Sequence, residues 1–272
     1  MTTGRSANFA EEADALRIGL IADAHYADKP STDRRFYRDS LAKVAAAVES
    51  MQSMDLDLAV QLGDFIDSTG PEDADRLREI DAVFKKLDVR RCYVFGNHCL
   101  ERLTKPQYLD IVGQPAPPFS FDCKGIHVVV LDACFRANGQ SYDAGHYEWH
   151  DSDIPPQQRA WLERDLAGTS LPTIVFVHQR LDSPEDVRYG IASQLDVRRI
   201  LEQAGNVKLV VHGHYHAGGF SVINGITYLT LPAMVVGEGL ESSGHSLLTV
   251  RRDGSFSVKG FGRHQSYEAV PA

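Results

Sequence analysis

The sequence predicts an α/β fold with a largely parallel sheet that ends in antiparallel strands. Two observations carry this. Over the first hundred residues, short apolar runs alternate with segments of helical period, as strands joined by crossover helices do. After residue 218 the helical spacing stops, and short strand-like runs separated by turn dipeptides take over.

Residues 1 to 15 read as a flexible arm and residues 16 to 272 as one domain. Arg17-Ile18-Gly19-Leu20-Ile21-Ala22 is the first strand, short, apolar and bounded. Phe36, Leu41, Val44, Val48 and Met51 share one face of a helix over 36–53. Leu58 to Leu62 is the second strand; Leu77, Ile80, Val83, Phe84 and Leu87 mark a helix over 72–87; Cys92 to Phe95 is the third strand. Strands follow at 127–131, 173–177 and 207–211, with helices near 157–167 and 193–203. The closing strands are 220–223, 226–231, 246–250 and 255–259, with Asn224-Gly225 and Asp253-Gly254 as hairpin turns.

Composition narrows the function. The 272 residues are 43% hydrophobic and 24% charged, ordinary for a globular chain large enough to bury a sizeable core. A net charge of −9 argues against nucleic acid as a partner but leaves room for a local basic pocket and a phosphorylated metabolite. Cys92, Cys99, Cys123 and Cys134 show no CxxC spacing and read as reduced thiols. The N-terminal stretch lacks the apolar core of a signal peptide, and no apolar run approaches the ~20 residues of a membrane span. The expected compartment is therefore the cytoplasm, with no membrane contact.

Residues 135 to 156 form the longest stretch without periodicity, and loops of that length are usually functional or disordered. Two Tyr, one Trp and two His make this one too aromatic for a plain linker. It reads either as a lid or substrate loop, with Tyr142, His146 and Trp149 as candidates to stack on a base or ribose, or as a packed surface loop.

Five strands end alike. They run into Asp23-Ala24-His25, Gly63-Asp64-Phe65-Ile66-Asp67, Gly96-Asn97-His98, His178, and His212-Gly213-His214-Tyr215-His216. Ligands of open α/β sheets bind outside the carboxyl ends of the strands. Each motif alone is commonly a turn, a cap or a hydrogen-bonded core histidine. Five strand ends that all carry Asp, Asn or His make one set of carboxylate, amide and imidazole metal ligands, which a packing explanation does not account for.

In order and spacing, D-x-H, GD-x-x-D, GNH, a lone His and GH-x-H resemble the calcineurin-like metallophosphoesterase family over roughly residues 17 to 220. The stretches around Ile21 to Asp28, Arg34 to Leu41 and Gly213 to Gly219 look like its manganese-dependent ADP-ribose/CDP-alcohol diphosphatase branch. The resemblance implies a four-layer α/β/β/α sandwich of two mixed sheets and a centre of two metal ions (Mn, Fe or Zn). Carried over by position, Asp23, His25 and His216 bind the first ion, Asn97, His178 and His214 the second, and Asp64 bridges them. It also implies a phosphohydrolase in which a metal-bridged hydroxide attacks a phosphodiester or pyrophosphate bond of a nucleotide-like metabolite.

In that reading His98 is the general acid. Asp67 either orients His98 through a carboxylate–imidazole hydrogen bond or merely caps its loop. Arg34, Arg35 and Arg38 either reach a second phosphate or lie on a solvated helix turn. His212, before the glycine and outside the motif, is expected to be packed or hydrogen-bonded, and Gly213 to turn the chain sharply off its strand. Two positions depart from the family pattern: Cys99 stands where an acidic residue often follows GNH, and Arg180 where Pro often follows the lone His. The alternatives are a phosphomonoesterase or cyclic-nucleotide phosphodiesterase of the same family, and a non-catalytic metal-binding scaffold.

Overall fold

A computed structural model describes residues 14–270 apart from 146, 184, 185 and 187. The arm expected over 1–15 thus lies outside the described residues except at Asp14 and Ala15, and Ala15 is already buried.

Two six-stranded mixed sheets lie face to face. In the first, β1 (Leu16–Ile21), β2 (Leu58–Gln61) and β3 (Arg90–Tyr93) run parallel. β10 (Gly244–Val250), β11 (Phe256–Gly262) and β12 (Tyr267–Val270) extend it antiparallel, in the order β12-β11-β10-β1-β2-β3. The second sheet is ordered β4-β5-β6-β7-β9-β8. Its parallel centre is β5 (Ile126–Val130), β6 (Thr173–Phe176), β7 (Val207–His212) and β9 (Ile226–Thr230). β4 (Phe119–Cys123) and β8 (Gly219–Ile223) are its antiparallel edges. Helices α1 (Ser40–Met51), α2 (Asp73–Phe84) and α3 (Lys105–Val112) cover one outer face, and α4 (Pro156–Ala167) and α5 (Gln194–Ala204) the other.

Strand alternation builds the four layers. In β1, Leu16, Ile18 and Leu20 enter the core between the sheets while Ile21 faces the first helix layer. In β5, Ile126, Val128 and Val130 point inward while Val129 packs beneath α4 and α5. Strands buried on both faces read as continuous apolar runs, which is why they stood out in the sequence.

Several elements differ from expectation. The first helix begins at Ser40, preceded by a 3-10 turn over Tyr37–Asp39; Phe36 has non-helical backbone (φ −114°, ψ 75°), and its N–H donates to the Val235 carbonyl at 2.9 Å. Helix α3 and strands β4 and β12 had no counterpart in the reading. The Asp253-Gly254 turn is not a two-residue hairpin: the Arg251 N–H donates to the Ser255 carbonyl, and Gly254 alone takes a left-handed φ of 86°. At Asn224-Gly225 both φ are positive, as the two-residue turn requires.

His264 ties the C-terminal strands to the loop after β9, whose Met234 and Val235 N–H groups bind the Ala22 and Asp23 carbonyls. Its Nε2–H donates to the Pro232 carbonyl at 3.1 Å, and its Nδ1 accepts from the Ser246 hydroxyl at 2.8 Å. Burial pushes its pKa down to about 4. A depressed folded-state value means that the stabilisation is complete above the unfolded value near 6.5 and fades as pH falls toward 4. We expect His264 to account for a loss of about 2 kcal/mol of unfolding free energy between pH 7 and pH 5. Urea melts of wild type and His264→Gln at both pH values test this: the variant should show a smaller pH difference, and an equal difference would refute it.

Candidate metal centre

The carboxyl ends of β1, β2, β3, β6 and β7 converge on one rim. Four residues there hold left-handed backbone without being glycine: Asp23 (φ 52°), His25 (47°), Asp64 (49°) and His214 (67°). Each costs on the order of 1–2 kcal/mol, strain of the kind that clusters at functional sites. Gly213 is not the turning residue expected of it, because the left-handed step falls on His214. Its missing side chain is needed for close approach: a Cβ there would sit 2.7 Å from both Asp23 Oδ2 and the Leu62 carbonyl. Gly96 is tighter still, with an added Cβ 1.9 Å from the Asp64 N.

The side chains form two neighbouring groups. Asp23, His25 and His216 make one, with His25 Nε2 facing His216 Nε2 at 3.1 Å and Asp23 Oδ1 3.8 and 3.7 Å from those two nitrogens. Asp64, His178 and His214 make the other. Asp64 Oδ2 stands between them, 3.5 Å from His25 Nε2 and 3.2 Å from His178 Nε2. Its Oδ1 accepts the His98 backbone N–H at 2.8 Å.

Neighbours fix the direction of each ligand atom. His178 donates Nδ1–H to the Leu62 carbonyl at 2.7 Å, which turns its Nε2 lone pair to the centre. His25 Nδ1 is held by Asp67 Oδ2 at 3.1 Å, which does the same for its Nε2. Both Asp23 oxygens accept the His214 N–H, at 3.0 and 3.1 Å. Asn97 gives Nδ2–H to Tyr147 Oη at 3.4 Å and presents Oδ1. Imidazoles oriented through their far nitrogen are the usual support of metal sites. The fully buried Lys43 donates to the Met234 and Gly237 carbonyls, pinning the segment whose Met234 and Val235 N–H groups bind the Ala22 and Asp23 carbonyls.

Asn97 Oδ1, His178 Nε2 and His214 Nε2 are buried without a hydrogen-bond partner. Such orphaned atoms cost roughly 1–3 kcal/mol each unless something else satisfies them. All three are donor atoms for a cation, so the donor set fits a metal ion. The charges agree. Burial raises Asp23 to about 7, whereas Asp64, although burial opposes its charge, is held well below the carboxylate range by His178, His98 and His25. Burial lowers His214 to about 3 and His216 to about 2, so both stay neutral with free lone pairs.

His98 sits at the edge of the centre, its ring 4.9 Å from that of His25. Asp67 serves more partners than expected: besides His25 it bonds Lys29 Nζ at 2.7 Å through Oδ1, and the same oxygen lies 3.5 Å from His98 Nδ1. Burial disfavours charge on His98, but Asp64, Asp67 and Glu101 outweigh it and push its pKa up to about 10.

The remaining candidates separate. Tyr142 is fully buried, its hydroxyl bonded to the Glu148 and Asp151 carbonyls and Ser152, so it props the 135–156 loop from within and does not face a ligand. Tyr147, which the reading did not single out, is the residue that enters: its Oη lies 3.3 Å from His98 Nε2. Trp149 stands at the rim, 38% exposed, 6.3 Å from the His214 ring and 6.2 Å from Tyr189. His146 lies outside the described residues. Arg35 is half-buried and its charge is felt at Asp23 and His216, whereas Arg34 points to solvent and Arg38 is paired with Asp28.

The departures settle into structure. Cys99 is a packed thiol, raised to about 12 by burial and accepting the Phe65 N–H at 3.2 Å. Arg180 forms a two-point pair with Asp182 at 2.8 and 3.0 Å. His212 accepts the Leu181 N–H at 3.2 Å and stacks on Tyr228. Among the described residues no helix is long and apolar enough to cross a membrane.

The chain is similar to known proteins over most of its length. It is 34% identical to the manganese-dependent ADP-ribose/CDP-alcohol diphosphatase of Danio rerio, covering 82% of this chain and 89% of that one. It is 25% identical to the rice protein of the same name, covering 79% and 82%. The crystal structure of a dimetal phosphatase from Danio rerio superposes with a TM-score of 0.80 at 21% identity, over 93% of this chain and 98% of the other, so the fold is shared. The calcineurin-like phosphoesterase profile matches residues 16–218, a span that contains all five polar strand ends. On that match the chain belongs to the calcineurin-like phosphoesterases, a family of phosphoester hydrolases.

Proposed function

We propose that the chain hydrolyses the pyrophosphate or phosphodiester bond of a small nucleotide-like metabolite at a centre of two metal ions, manganese first among the candidates. The observation that carries this is the position of Asp64 Oδ2 between two groups of ligand-type atoms, one of which includes partnerless buried nitrogens. Asp23, His25 and His216 would hold one ion, Asn97, His178 and His214 the other, and Asp64 both. Two ions so held would supply an activated water near neutral pH and offset the charge of phosphate oxygens.

The chain's own residues do the rest. His98 carries a proton at neutral pH, with Nδ1 toward Asp67 and Glu101, and gives it from Nε2 to the departing oxygen. Bound cations would oppose the upward shift of its pKa and bring the group nearer to the working pH. Tyr147 Oη, 3.3 Å from Nε2 and 3.5 Å from Nδ1, lies against the His98 ring. Trp149 and Tyr189 offer aromatic faces at the rim for a base. The names of the similar diphosphatases support ADP-ribose and CDP-alcohols as the first substrates to try.

The test is turnover of ADP-ribose, CDP-choline, cyclic nucleotides and an aryl phosphate by manganese-loaded protein. Hydrolysis of a diphosphate above the other classes is the expected result. No turnover of any of them would end this reading.

A further inference from the structure

Next to His98 lies a cavity of about 460 Å³ whose described lining is Glu101, Arg102, Ala144, Gly145 and Tyr147, and Glu101 and Tyr147 both flank the His98 ring. Its size falls within the range of small-ligand pockets. One wall is fixed: the Gly145 N–H donates to the Glu101 carbonyl at 3.0 Å, tying the 135–156 loop to the turn that carries His98. The His98 ring borders both regions, with its centroid 4.9 Å from that of His25 and 5.4 Å from that of Tyr147.

A group that protonates a departing oxygen must face the departing half of the substrate. His98 touches the ligand groups through His25 and the cavity through Tyr147, so the cavity is within reach of that half. Arg102, exposed at the mouth of the cavity, is the one Lys or Arg among the described lining residues. Glu101 opposes it in sign, but its Oε2 is turned toward His98 Nδ1, 3.7 Å away. A guanidinium in such a place is suited to two-point binding of a phosphate.

We propose that this cavity receives the leaving group and that Arg102 binds a phosphate on it, which makes Arg102 a specificity-determining residue for diphosphates. The inference rests on the hydrolytic reading above. In the step concerned, the water-derived oxygen forms a new bond to one phosphorus. The bridging P–O bond breaks, its electron pair stays on the departing phosphate, and that oxygen takes the His98 proton. A monoester of an uncharged alcohol offers Arg102 nothing to bind.

The experiment compares kcat/KM for CDP-choline with kcat/KM for 4-nitrophenyl phosphate in manganese-loaded wild type, Arg102→Ala and Arg102→Lys. The ratio of the two is insensitive to the fraction of protein folded. It should fall about 10- to 100-fold in Arg102→Ala, as expected for loss of a charged hydrogen-bonded pair, and recover in part in Arg102→Lys. A change of less than about threefold, well under the weakest such pair, would overturn the role of Arg102. Wild type that turns over the aryl phosphate but no diphosphate would instead overturn the reading on which it rests.

Discussion

Asp64→Ala should abolish turnover, lowering kcat by at least about 10³-fold, and should take the metal content per chain from two to one or none. The reason is geometric. Among the described residues, Asp64 Oδ2 is the one carboxylate oxygen within 3.5 Å of ligand nitrogens from both groups. Two-metal assistance contributes several kcal/mol to barrier lowering, and each 1.36 kcal/mol is about tenfold in rate. Asp64→Asn is the companion variant, since it keeps the volume and an acceptor for the His98 N–H while removing the charge. Both effects are read by metal analysis of dialysed protein and by steady-state kinetics. An Asp64→Ala protein that keeps two ions and a full rate would remove Asp64 from the centre.

His98→Gln should separate binding from chemistry. Metal content should stay near that of wild type, because no atom of His98 is required in either proposed ligand set. The rate on a diphosphate should fall by about 10²–10⁴-fold, the usual contribution of a positioned acid. A good leaving group needs little protonation, so the loss on 4-nitrophenyl phosphate should be much smaller. Equal losses on both substrates would mean that His98 holds the substrate or the site together and donates no proton.

How much of this was legible in the sequence depends on what each residue must do. The strands announced themselves because burial on both faces demands unbroken apolar runs, and their polar ends stood out against that background. The 3.6-residue spacing of Leu77, Ile80 and Phe84 marked α2 for the same reason. Helix α3 carries a readable signal at its ends, not in its period: Thr104 and Gln107 form a reciprocal cap, and Gly113 ends the helix in left-handed backbone. Strand β4, Phe119-Ser120-Phe121-Asp122-Cys123, is a half-buried edge with polar residues at every second position, so no continuous apolar run marks it.

The site shows the same division. Ligand-type residues follow strands directly, so their place on the rim comes from the chain path. Loop aromatics have no such path. Nothing in the order of Tyr142, Tyr147 and Trp149 says that the first is buried and the second touches His98, because no period ties a loop residue to a face. The dual service of Asp67 was hidden too, since its bonds to His25 and Lys29 depend on how the β1 and β2 ends pack. Arg102 lay outside every motif, and only the cavity beside His98 draws attention to it.

The central claim is that the converging strand ends form a two-ion hydrolytic centre. The most direct measurement strips the protein with a chelator, titrates manganese back, and follows bound metal and CDP-choline hydrolysis on the same samples. Binding should saturate at two ions per chain, with activity absent in the stripped protein and rising with loading. A plateau at one ion or none, or hydrolysis indifferent to the chelator, would contradict it.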